Sequence, residues 1–134
     1  MRRNIISSAG PTLLSVVELG GYPDFASLYK KHGFDVVVAS SVRRALAVFK
    51  KQSPGVVVAE FNFQSDFRDR TSSLESLLAV TQRMPDTKVI IFYEREYRHQ
   101  LERLTDRFAI FDTLAFPIQE AELEECLKRT AGVG

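Results

Sequence analysis

The stretch Val56-Val57-Val58-Ala59-Glu60 constrains this chain more than any other. Four small or β-branched apolar residues with no polar alternation read as a strand buried on both faces, because a strand with one wet face alternates polar and apolar side chains. Pro54-Gly55 punctuates the chain just before it. A strand dry on both sides needs one helix layer above and another below, and a parallel α/β sheet supplies both. Such a sheet binds ligands outside the carboxyl ends of its strands, and Glu60 is the charged side chain delivered there.

The rest of the chain repeats this grammar. Leu13-Leu14-Ser15-Val16-Val17-Glu18, followed by Leu19 and Gly20-Gly21, suits a first strand that leaves the core at a turn. Pro23 is placed to open a helix with Asp24 in its first turn, where a negative charge suits the helix dipole. Phe25, Leu28, Tyr29 and His32 share one face of that helix, and Gly33 stops it. Phe34 to Ala39 is a second strand, and Ser40 or Ser41 caps a helix with Val42, Ala45, Leu46 and Phe49 inward. After Glu60, the segment from Phe61 to Thr71 is irregular and longer than the roughly 2 to 6 residues usual between strand and helix. Ser72 or Ser73 then caps a helix with Leu74, Leu77, Leu78 and Thr81 in register. Val89 to Tyr93 is a fourth strand, and Glu96 to Arg107 a helix whose apolar seam is only Tyr97, Leu101 and Leu104. Thr113 to Phe116 is a fifth strand, and Ile118 to Lys128 a closing helix with Leu123 and Leu127 inward.

Strict strand–helix alternation with short connections leaves few topologies. It predicts an α/β, flavodoxin-like, doubly wound fold: a five-stranded parallel sheet in the order 2-1-3-4-5 with helices on both faces. We expect one domain over residues 11–131 behind a flexible tail of residues 1–10. The chain of 134 residues is long enough to bury a full core.

Composition narrows the function. A formal net charge of +1 lacks the basic excess of a nucleic-acid surface, so no nucleic-acid partner is expected. No apolar run approaches the roughly 20 residues that span a bilayer, so no membrane partner is expected either. Cys126 is the single cysteine, which rules out an intramolecular disulfide and a thiolate metal cluster and suits a cytoplasmic protein. His32 and His99 lie on different predicted helices, and Gly20-Gly21 lacks the spacing of a dinucleotide fingerprint. No nucleophile elbow of the form Gly-x-Ser-x-Gly occurs. The sequence therefore predicts no enzyme, no metal and no cofactor.

Three stretches in their order and spacing carry a family resemblance. They are Val-Val-Val-Ala-Glu60-Phe61-Asn62, the approach Pro85-Asp86-Thr87-Lys88-Val89-Ile90-Ile91 to the fourth strand, and Phe116-Pro117 after the fifth. Over about Thr12 to Thr130 the chain resembles the receiver domain of response regulators, whose fold is the CheY-like form of the one predicted. The resemblance implies an aspartate that accepts a phosphoryl group at the end of strand three and an acidic pair after strand one that holds magnesium. It further implies a threonine or serine ending strand four and a lysine before the proline of strand five. In this chain those positions hold Glu60, a lone Glu18, Tyr93 and Phe116, the last followed by Pro117. Phosphoryl transfer needs metal and lysine against concentrated negative charge, so the substitutions predict a degenerate, non-phosphorylatable pseudo-receiver.

Glu60 is then either an imitation of a phosphorylated aspartate or a carboxylate satisfied by loop amides and water. Phe61, Phe63 and Phe67 interleave with Arg68 and Arg70, the composition of a protein-binding hot spot, while the alternative is phenylalanines folded onto the sheet beneath a solvated rim. The thin seam of the fourth helix leaves Tyr97, Leu101 and Ile118 as candidate contacts to a protein partner or to a second copy, across the helix four, strand five and helix five face that receivers use. The alternative function is a small-molecule or nucleotide binder, or an enzyme, using the crevice at the carboxyl ends of the strands, between Glu18, Glu60 and Tyr93.

Overall fold

The computed structural model describes residues 11–18, 22–62 and 73–131. Its elements are β1 (Thr12–Val16), α1 (Ala26–Lys31), β2 (Asp35–Ala39), α2 (Val42–Phe49), β3 (Val56–Glu60) and α3 (Ser73–Thr81). They continue with β4 (Lys88–Tyr93), a 3-10 turn (Arg95–Tyr97), α4 (Arg98–Thr105), β5 (Asp112–Ala115) and α5 (Glu120–Thr130). The strands form one sheet in the order β2-β1-β3-β4-β5, and every neighbouring pair is parallel. This is the predicted flavodoxin-like topology.

The side-chain period of two splits the core into two layers. Val57 and Ala59 of β3 join Val89, Ile91 and Tyr93 of β4 beneath Ala45, Leu77, Leu78, Leu101 and Leu104, so α2, α3 and α4 cover that face. Val56 and Val58 join Ile90 and Phe92 beneath Leu28, Tyr29, Leu123, Cys126 and Leu127, so α1 and α5 cover the other. Every residue of β3 is buried, Glu60 included. That is why the stretch carries no polar alternation.

Local chemistry sets the element ends. Ser41 caps α2 by accepting the Arg44 amide on its Oγ at 3.1 Å. Gly33 ends the turn after α1 with φ at +87°, a conformation that costs glycine little and other residues much. Several boundaries differ from the sequence reading. Pro23 does not open α1, because Asp24 accepts the Ala26 amide at 2.9 Å and holds Tyr22 to Phe25 in a turn outside the helix. The resulting α1 has only six residues. The fourth helix is preceded by the 3-10 turn, and the fifth starts at Glu120 rather than Ile118 with Gln119 extended at its N-cap. Phe116 lies beyond β5, although its amide still donates to the Tyr93 carbonyl at 2.7 Å.

Candidate functional site

The short α1 leaves the carboxyl ends of β1 and β2 thinly covered on its face. A cleft of about 260 Å3 opens there. Its floor is Ser15, Val17, Val58, Glu60 and Phe92, and Tyr22, Phe25 and Tyr29 stand against it from the turn and from α1. Alternation along β3 points Glu60 to this side, the side of Val56 and Val58. Glu60 is 7% exposed, and its carboxylate accepts a hydrogen bond from Asn62 Nδ2 at 3.4 Å.

Aromatic rings flank the site. The Tyr22 and Phe92 centroids are 5.6 Å apart, and Phe25 meets Phe92 edge-on at 6.0 Å. Phe116 meets Tyr22 edge-on at 5.6 Å, which stacks four rings beside Glu60. The Tyr22 hydroxyl is buried with no hydrogen-bond partner among the described residues. Burial, with Glu94 and then Glu60 adding to it, pushes its pKa up to about 12. The two carboxylates therefore lie near enough to oppose a tyrosinate.

The remaining candidate residues do not converge on this cleft. Tyr93 faces the opposite helix layer, and its hydroxyl accepts from Arg98 Nη2 at 2.8 Å. Glu18 accepts the Val42 amide at 3.4 Å, at the start of α2. Of the expected crevice between Glu18, Glu60 and Tyr93, only Glu60 lines the cleft. Phe116 is 42% exposed and Pro117 is exposed too, so Phe116 edges the ring stack without being buried in it. Leu101 and Ile118, expected to face a partner, are instead core residues, 3% and 8% exposed. Leu101 is half of the inward seam that holds α4, and Ile118 packs with Leu114 and Leu123. Tyr97 is half-buried. Phe61 is buried, whereas Phe63, Phe67, Arg68 and Arg70 lie outside the described residues.

The donor set does not fit a magnesium ion. This cation wants near-octahedral oxygen and is usually held by one or two carboxylates with water and phosphate. Here Glu60 lies among rings and valines, Asp24 commits one carboxylate oxygen to the Ala26 amide, and Glu18 is turned to α2, so these three carboxylates do not converge on one point. Among the described residues, no three histidine, cysteine, aspartate or glutamate side chains group where they could hold a metal ion. Sequence reading missed Tyr22. The signal was Tyr22-Pro23-Asp24-Phe25, two aromatics around a proline and a turn-forming aspartate, just where a strand end meets a helix start.

No protein-family model matches the sequence, and no curated protein sequence matches it. Solved structures do. A response regulator from Thermotoga maritima is 20% identical, with a TM-score of 0.72 over 92% of this chain and 98% of that one. The receiver domain of NtrX from Brucella abortus is 18% identical, with a TM-score of 0.73 over 91% of this chain and 99% of the other. A receiver domain protein from Clostridium thermocellum gives 18% identity and a TM-score of 0.70 over 92% and 94%. With its strand order, its two helix layers and these likenesses, the chain has the fold of a response-regulator receiver domain.

Proposed function

We propose that the chain is a non-phosphorylatable pseudo-receiver, a signalling module in a bacterial two-component-type or related regulatory pathway that works by binding another protein. One observation carries the reading: Glu60 lies in a cleft walled by rings and valines, and none of the described residues that line it is a lysine or arginine. A phosphoryl group on Glu60 would add concentrated negative charge to a cleft that Asp24 already lines, beside Tyr22, whose pKa burial has raised. Desolvated anionic charge is unfavourable by several kcal/mol where no cation offsets it, on the order of what a buried ion loses when its partner is removed, and the described lining of the cleft supplies no lysine or arginine. Phe116 supplies no charge at the position where the resemblance implies the lysine.

The partner surface in this reading is the α4 and β5 side together with Phe116. Phe116 and Val38 are the large apolar side chains that stay exposed among the described residues. Beside β5 runs a shallow groove edged by Arg98, Glu102, Thr105 and Asp112. A polar groove along β5 with an exposed apolar side chain just past the strand's end suits a protein contact better than a small ligand. With Leu101 and Ile118 inside the core, this face has little apolar surface to close on a copy of itself, so we assign it to a different protein.

Incubation with a small phosphodonor and magnesium, followed by intact-mass measurement, tests the first half. The mass should stay that of the unmodified chain, and an acyl-phosphate mapped to Glu60 overturns the reading. Phe116→Ser and Arg98→Glu test the second half. Each gives up one contact of its own, Phe116 with the Tyr22 ring and Arg98 with the Tyr93 hydroxyl, so both should melt somewhat below the parent but stay folded, and both should lose a partner that the parent retains; a partner held equally by all three proteins removes the face from this role.

A further inference from the structure

β2 is an edge strand of the sheet. The Asp35 amide donates to the Pro11 carbonyl at 2.9 Å, and the Ala39 carbonyl accepts from the Val17 amide at 2.9 Å, so Asp35 and Ala39 turn their backbone groups inward to the β1 side. Residues alternate along a parallel ladder, and the N–H and C=O groups of Val36 and Val38 therefore face outward. The side chains of those same two valines line the cleft beneath the short α1, and Val38 is 63% exposed. An edge of this kind is normally guarded by lysine, proline, a bulge or an inward charge. The sequence Asp35-Val36-Val37-Val38-Ala39 contains no lysine or proline and pairs with β1 without a break in register.

We propose that β2 pairs antiparallel with β2 of a second copy, about a two-fold axis through Val37, so that the two sheets run on as one. An antiparallel pair must oppose outward residues with outward residues. In the register centred on Val37, Val36 meets Val38 of the partner subunit and Val38 meets the partner subunit's Val36. Shifting the centre to Val36 or Val38 sets one valine against Phe34 or Ser40 instead. The Val37 register also opposes Asp35 to Ala39, so no like charges face each other across the axis. One patch thus serves as both halves of an isologous interface, which favours a second copy over an unrelated strand that would bring its own charge pattern. The pairing covers Val38, and it is independent of whether Glu60 accepts phosphate and of what binds at Phe116.

Light scattering and sedimentation on the full chain test the inference, with a dimer as the expected species. Val38→Lys puts a charge on the exposed edge and should give a monomer that melts like the parent. Val38→Pro deletes an outward amide without removing a bond to β1 and should do the same. Val37 faces its own mate across a non-hydrogen-bonded pair, where Cα atoms lie about 4.5 Å apart, within disulfide reach. Val37→Cys should therefore oxidise to a covalent dimer, Asp35→Cys should not, and buried Cys126 does not compete. Tyr97→Glu, on the α4 side, should leave the dimer intact. A chain that stays monomeric at every concentration, a dimer untouched by both Val38 variants, or a Val37→Cys protein that fails to cross-link overturns the proposal.

Discussion

The Tyr22 hydroxyl is a buried donor without a partner among the described residues, and Glu60 and Glu94 lie close enough to raise its pKa. A buried polar group left unpaired costs about 1–3 kcal/mol, whereas its ring keeps full value in the stack with Phe92 and Phe116. Tyr22→Phe removes the cost and keeps the contacts. Urea unfolding should show the variant to be more stable than the parent by about 1 kcal/mol or somewhat more. A loss of stability instead means that the hydroxyl is satisfied by a neighbour. Glu60 itself was legible in the sequence, because an uninterrupted apolar run that ends in a carboxylate has few other readings. Its surroundings were not. Tyr22, Phe92 and Phe116 come from the segment after β1, from β4 and from the residue past β5, and only the folded sheet brings the rings of Phe92 and Phe116 each within 6 Å of that of Tyr22. The same holds for Tyr93 and Phe92: periodicity shows that neighbours in a strand face opposite layers, but not which layer contains Glu60.

At the scale of the element, existence and order were legible and ends were not. The central strands announced themselves by β-branched or apolar runs near Gly or Pro breaks, and the helices by an apolar face at helical spacing. The ends moved where local hydrogen bonding outweighed propensity. Asp24 captured the Ala26 amide and shortened α1, and that shortening opened the cleft and bared Val38. The α2 cap is the simplest local test. Ser41 holds the Arg44 amide, and Ser41→Ala should cost about 1 kcal/mol in chemical unfolding. No change would show that water or a neighbour serves that amide equally well. For α4 the thin seam deceived, since few apolar residues suggested an outward-facing helix, yet Leu101 and Leu104 are 3% and 6% exposed. A seam of two leucines makes each one costly to lose. Leu101→Ala should destabilise the protein by about 2–5 kcal/mol, a core effect that distinguishes it from a surface contact, whose loss would leave the melting temperature unchanged.

Across the whole molecule the two faces of the sheet differ in how they meet alkaline pH. Tyr22, Tyr29 and Cys126 all lie on the α1 and α5 side. Burial is the first cause of a raised pKa in each: Tyr22 moves from 10.0 to about 12, Cys126 from 9.0 to about 12, and Tyr29 well above its ordinary range. Asp24 adds to the shift at Tyr29, and Asp112 adds to it at Cys126, where Arg129 acts in the opposite sense. A group whose folded pKa lies above its unfolded value stays protonated in the native state while the unfolded chain ionises. Its contribution to stability is therefore fully present below the unfolded value and is lost as pH climbs toward the folded one. The melting temperature should accordingly fall from about pH 9.0, where the unfolded Cys126 thiol begins to ionise, and more steeply above 10.0, where the unfolded tyrosines follow. Cys126→Ala should delay the onset to the tyrosine range, and Tyr22→Phe should reduce the slope above it. Melting curves that stay level through this window, or that fall equally in the parent and both variants, would show that the α1 and α5 layer does not hold these groups away from water as its packing requires.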